Sequence, residues 1–112
     1  MSQYPEKTCD IDRLVRQPKL VAAVLEGRKS QQRRDGVFGY PGETFELEGV
    51  TFKLSALFQQ SWGDMSEADA QAEGYPGLKM YQDLILKMHA GMSWDSDHMV
   101  WVHQFERLDD SS

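Results

Sequence analysis

Apolar residues in this chain come in short runs whose period switches between helical and strand-like along its length. Ile11, Leu14 and Val15 recur at helical spacing after Asp10, a residue suited to an N-cap, which predicts a short helix there. Pro18 interrupts that helix and fits the first turn of the next. Leu20, Val21, Ala23, Val24 and Leu25 read as a mostly buried second helix, with Gly27 just past its last turn. Thr44–Leu47 and Val50–Leu54 then flank Glu48-Gly49 as a tight hairpin, whose second strand is expected to reach as far as Phe58. Ser66 opens a short helix with Asp69 at its third helical position, and Gly74 ends it. Leu78, Tyr81, Leu84, Ile85 and Met88 form one stripe of a helix from Leu78 to His89. Met99 to Glu106 alternates as a closing strand. Helices, a few strands, two helices and a strand predict an α+β chain, a small mixed sheet or open barrel flanked by helices.

With 112 residues, 40% of them hydrophobic, one domain is expected, its core spanning about 10–107. No run approaches the roughly 18 to 20 apolar residues of a membrane span, and the start MSQYPEKTCD lacks the apolar stretch of a signal peptide. A cytoplasmic protein without membrane contact is expected. Cys9 is the single cysteine, which excludes an internal disulfide and gives no zinc pattern. His89, His98 and His103 match no dense ligand spacing, so neither metal nor cofactor is expected. Met80, Met88, Met92 and Met99 read as core filler.

Acidic side chains number 18 against 12 basic ones, a formal charge of -6, which argues against a protein that coats nucleic acid through bulk charge. Yet Arg28, Lys29, Arg33 and Arg34 fall within seven positions. As a strand, this segment sets Lys29, Gln31 and Arg33 on one face and Arg28, Ser30, Gln32 and Arg34 on the other. One face can then line a pocket while the other meets phosphate or solvent; the plainer reading is a solvated, charged edge strand. Glu73 lies in the last turn of the Ser66 helix, where the dipole disfavours an anion, so a cation such as Lys29 is its natural partner. Burial would lower the lysine pKa and the carboxylate would raise it. Tyr75, Phe38, Tyr40, Trp62 and Trp94 are rings that can stack on a base or cap the core. Arg33 and Arg34 offer forked donors to phosphate or carbonyl groups.

The run Gly27-Arg28-Lys29-Ser30-Gln31-Gln32-Arg33-Arg34 resembles the signature of the ASCH domains, in which a helix is followed by glycine, lysine, a hydroxyl residue and an arginine-bearing strand. Gly42-Glu43-Thr44-Phe45, Gly63-Asp64, Ala72-Glu73-Gly74 and the strand from Val100 to Phe105 follow in the order of that family, covering roughly residues 18 to 107. The resemblance implies a PUA-like fold, a small mixed β-barrel flanked by helices, with a cleft suited to RNA or a nucleoside. Some small bacterial members are amidohydrolases that remove the acyl group from the exocyclic amine of acetylcytidine, using a lysine, a hydroxyl residue and a glutamate. Lys29 and Glu73 match two of these positions; where those enzymes place a threonine, three residues after the lysine, this chain has Gln32. Ser30 matches the other hydroxyl of the signature.

Three arrangements are open at this level. Ser30 attacks an amide carbonyl with Lys29 as base and Glu73 orienting it; or Lys29 and Glu73 activate water while Gln32 or a backbone amide holds the oxyanion; or the site only binds. Strand alternation counts against Ser30, whose side chain should point away from Lys29. The first functional reading is an amidohydrolase of acylated cytosine nucleosides, with Lys29, Glu73 and Ser30 catalytic and Gln32, Arg33, Arg34, Tyr75 and Tyr40 binding substrate. The alternative is a non-catalytic module for an RNA base or modified nucleotide, and a third is a protein-interaction domain that keeps only the fold. The partner expected is a small nucleoside, with RNA as the other.

Overall fold

The computed structural model describes residues 4–88 and 94–108. A 3-10 turn at Ile11–Arg13 leads into α1 (Pro18–Leu25), β1 (Gln31–Arg34), β2 (Thr44–Leu47) and β3 (Val50–Ser61). A second 3-10 turn, Trp62–Asp64, is followed by α2 (Glu67–Ala72), α3 (Leu78–Met88) and β4 (Met99–Arg107). The strands form one curled sheet in the order β1-β4-β3-β2. This is the α+β architecture expected from the alternating periods, but all three pairings are antiparallel rather than mixed. The hairpin forces β2 and β3 to oppose one another, and β4 returns between β3 and β1.

Local chemistry accounts for most element ends. Glu48 and Gly49 both take positive φ (51° and 81°), the twist that a two-residue hairpin requires. Ser66 and Asp69 form a reciprocal capping box at the start of α2. Pro18 occupies the first turn of α1, and Gly27 beyond its end has φ of 83°. Two elements depart from expectation. The segment after Asp10 is one 3-10 turn, because Asp10 makes no side-chain capping bond and Pro18 follows too soon for a longer helix. β3 runs to Ser61, three residues past Phe58, because β4 pairs with it down to Ser61↔Met99.

Two apolar clusters lie on either side of the polar strand β1. The larger joins Leu14, Val15 and Val24 to Phe45, Leu47, Phe52, Leu54 and Phe105. The smaller gathers Met65, Ala70 and Tyr81 with Tyr75, Leu78, Ile85 and Trp94 packed against them. Met80, Met88 and Met99 are not core filler: they are 56%, 66% and 48% exposed. Met80 falls off the side of α3 that carries Tyr81, Met88 shares that side but ends the helix at the cavity, and Met99 starts β4 at the sheet's end. Met92 and His89 lie outside the described residues. No helix among the described residues is long and apolar enough to cross a membrane.

Phe105 meets Phe45 and Phe52 edge-on, with centroids 5.5 and 6.1 Å away. Phe105→Ala should therefore destabilise the chain by about 3 to 5 kcal/mol in urea denaturation, through lost transfer energy and a residual cavity. Phe58→Ala, at a position 38% exposed, should change the same measurement by no more than about 0.5 kcal/mol.

Candidate functional site

β1 is an edge strand, yet it is not the solvated edge that its charges allow: Gln31, Gln32 and Arg33 are buried, as is Lys29 just before it. Period two aims Lys29, Gln31 and Arg33 at one centre, the carboxylate of Glu73. The Lys29 ammonium donates to the Gln31 carbonyl at 2.6 Å and the Glu73 carbonyl at 2.8 Å, and stands 3.5 Å from Glu73 Oε1. Arg33 Nη1 donates to Glu73 Oε2 at 2.9 Å and to Gln31 Oε1 at 2.8 Å. Arg33 Nη2 donates to Gln60 Oε1 at 2.6 Å and lies 3.7 Å from Asp69 Oδ2. Two cations thus face two carboxylates, and the three innermost side chains are almost wholly withdrawn from water.

The backbone delivers Glu73 to this point. It is the C-cap of α2, and Gly74 turns the chain away with φ of 103°, a conformation that side chains rarely adopt. A Cβ at Gly74 would touch the Ala23 Cβ at 3.4 Å and the Lys29 Cβ at 3.5 Å, so the turn packs directly on α1 and on the lysine stem. The Ser30 N–H donates to the Ala72 carbonyl at 2.7 Å, tying the end of α2 to the start of β1.

Burial pushes the Lys29 pKa down to about 8 against the opposing pull of Glu73. For Asp69, burial alone would raise the pKa, but the Ser66 N–H and the Arg33 charge outweigh it and hold the carboxyl below its usual range. Burial, reinforced by Glu73, keeps the Tyr75 and Tyr81 hydroxyls protonated. His103 is wholly buried opposite Gln32, and burial lowers its pKa to about 4. Its Nε2 accepts the Phe38 N–H at 3.0 Å, so its Nδ1–H is the donor to the Gln32 carbonyl at 3.1 Å. This histidine is a structural strut under Gln32.

A cavity of about 640 Å³ opens between the two apolar clusters. Gln32, Arg33, Trp62, Glu73, Tyr75 and Tyr81 line its polar part, and Arg16, Gln17, Arg34 and Asp35 are at its rim. Two of these residues each keep one buried polar atom with no hydrogen-bond partner: Gln32 Oε1 and Arg33 Nε. The Trp62 indole has the Tyr81 hydroxyl as its side-chain partner. Trp94 stacks on Trp62 with centroids 4.7 Å apart, and the His98 ring stands 4.6 Å from it, so Trp62 is clamped by rings.

Of the residues expected at a site, Lys29, Glu73, Gln32, Arg33, Arg34 and Tyr75 come together around this cavity, with Lys29 behind Glu73 rather than on the wall. Ser30 does not join them; it precedes β1, is exposed and lies outside the lining, although Gln32 and Arg34, which alternation puts on its face, are in the lining. Tyr40 is also elsewhere, stacked on Tyr4 with its hydroxyl donating to the Pro5 carbonyl. Phe38 packs against His103 and under the Arg34 guanidinium, away from the cavity wall. Sequence reasoning missed Gln60 and Asp69 as holders of Arg33 and Tyr81 as a wall residue. Tyr81 carried only a core-stripe signal; Gln60 carried none beyond being polar near the end of an apolar strand. Among the described residues no group of three or more His, Cys, Asp or Glu is placed to hold a metal ion.

An antiparallel curled sheet with helices packed around a polar cleft is the PUA-like class of α+β fold. Within that class the fold is ASCH-like. The chain superposes with the ASCH domain of Lactobacillus crispatus JV V101 at a TM-score of 0.63 and 14% identity, over 79% of this chain and 69% of the other. A DUF984 protein of Enterococcus faecalis V583 superposes at a TM-score of 0.56 and 16% identity, over 81% and 68%. No protein-family model and no curated protein matches the sequence.

Two measurements follow from the buried charges. Arg33→Met leaves Glu73 with Lys29 as its one close cation and should cost about 3 to 5 kcal/mol of unfolding free energy, read by urea denaturation. The Lys29 pKa of about 8 lies below its ordinary 10.5, so between these pH values the unfolded chain binds more protons than the folded one and stability rises with pH. The unfolding free energy of the native chain minus that of Lys29→Met should therefore increase from pH 8 to pH 10.5 and be level below pH 7.

Proposed function

We propose that the cavity binds the base of a pyrimidine nucleoside, with cytosine as the preferred base. The observation that carries this reading is that Gln32 and Arg33, neighbours lining one cavity, each retain a buried polar atom without a partner. Buried polar groups are almost always paired, so unpaired ones gathered at one cavity call for a ligand. One acceptor and one donor complement a base edge that sets a donor beside an acceptor, as the N4–H and N3 of cytosine do. Each atom exposes less than 1 Å² of surface, so a base reaches them only with a shift of Gln32 and of the cluster that holds Arg33. Tyr75, half-buried in the lining, supplies aromatic surface, worth about 1 to 3 kcal/mol for a stacked base. A cavity of about 640 Å³ falls within the usual range for small ligands.

A second reading, removal of an acyl group from the cytosine exocyclic amine, is favoured by one feature: the Glu73 carboxylate both borders the cavity and is backed by Lys29. In that reading Glu73 takes a proton from water, the water oxygen attacks the acyl carbonyl carbon, and the amide C–N bond breaks as the proton passes to the departing amine. The protonated Tyr81 hydroxyl and the Gln32 amide are the donors on hand for the oxyanion. Lys29, with its three donors directed at three oxygens, is a positioning residue for Glu73. Ser30 has no part in this step, being outside the cavity.

Calorimetric titration tests the first reading: cytidine should bind and guanosine should bind at least about tenfold more weakly, the difference of about one lost hydrogen bond. Equal affinities, or no binding of either, would overturn it. Incubation with acetylcytidine tests the second: cytidine release that falls at least about a hundredfold in Glu73→Gln, with cytidine binding kept, supports hydrolysis. Undiminished release in that variant removes Glu73 from the reaction, and absence of release leaves a binding pocket alone.

A further inference from the structure

Beyond the base pocket, the rim of the cavity has a chemistry of its own. Arg34 Nη2 and Nε donate to the Leu14 carbonyl at 2.7 and 3.3 Å, and the guanidinium lies over the Phe38 ring at 5.1 Å. These contacts fix its direction without neutralising it, and its Nη1 makes no hydrogen bond among the described residues. Arg16 borders the same cavity, is exposed, and has neither a hydrogen bond nor an ion pair among the described residues. Burial lowers the Arg34 pKa against the pull of Glu73, and Arg16 adds a smaller push in the same direction as burial. Asp35 borders the same cavity, and its carboxylate is turned to the His98 ring at 2.8 Å rather than to either arginine. α1 directs its N-terminal end at the same rim through Gln17 and Leu20. In a chain of charge -6, two arginines outside any ion pair among the described residues, at a cavity with unpaired polar groups in its wall, are a locus for an anion.

We propose that Arg16 and Arg34 form a phosphate subsite at the rim, so that the ligand is the phosphate ester of a pyrimidine nucleoside, free or as a link in RNA. This rests on the base-binding reading above and adds to it the charge of the ligand. Arg34 is held ready by the Leu14 carbonyl and Phe38, while Arg16 is free to close on the phosphate. Forked guanidinium donors suit phosphate oxygens, and a pair of them offers bonds to two oxygens at once.

Calorimetric titration of the full chain with cytidine, cytidine 5′-monophosphate and a five-residue oligocytidylate, at two salt concentrations, tests the subsite. The monophosphate should bind roughly tenfold tighter than cytidine at low salt and lose that advantage as salt rises, while cytidine affinity stays level. Arg16→Ala, a change at an exposed side chain, should bring the monophosphate down to the cytidine value and leave cytidine unaffected. An oligomer that binds more tightly than the monophosphate places the phosphate in RNA; equal binding points to the mononucleotide. Cytidine that binds as well as its monophosphate overturns the subsite while the base pocket stands. If neither binds, both readings fall.

Discussion

The buried contact of Glu73 with Lys29 and Arg33 is the constraint around which this small chain is arranged. Removing three charged side chains from water costs several kcal/mol each unless every one of them is paired and hydrogen-bonded. The structure meets that condition with parts drawn from four places: the residues leading into and along β1, the C-cap of α2, Gln60 on β3 and Asp69 in the first turn of α2. The wall of the cavity is one side of this cluster, so the groups that give the cavity its chemistry also join β1 to the helices. A cluster so placed cannot rearrange without disturbing the packing of α2 against β1.

Much of this was legible in the sequence. Concentration of positive charge at Arg28–Arg34, set against a glutamate at a helix end, was enough to bring Lys29 and Glu73 together. The Ser66 capping box and the Glu48-Gly49 hairpin are local devices, and local devices are readable from a few residues. What escaped was set by long-range pairing. Arg33 meets Gln60 across 27 positions and Gln32 meets His103 across 71, and no spacing rule encodes either. Tyr81 sits on an apolar stripe that gives no hint that one edge of its ring borders a cavity. Tyr40 was misplaced for a related reason: a ring in a turn-rich stretch is equally suited to a ligand or to the N-terminal segment, and here Tyr4 and Pro5 hold it.

The methionines show where periodicity fails. Met80 and Met88 are both largely exposed, Met80 because it lies off the face that carries Tyr81, and Met88 because it ends α3 at the cavity although it is on that face. Apolar character says that a side chain can be buried; which side the neighbouring element covers is decided elsewhere in the chain.

Trp62 has a consequence of another kind. Its ring forms part of the cavity wall, is held by Trp94 on a parallel plane 15° away, and stands beside the His98 ring. Indole emission responds to the polarity and the stacking of its surroundings, so a change in the cavity that shifts Trp62 against Trp94 would alter the emission of the chain, over the constant share of Trp101.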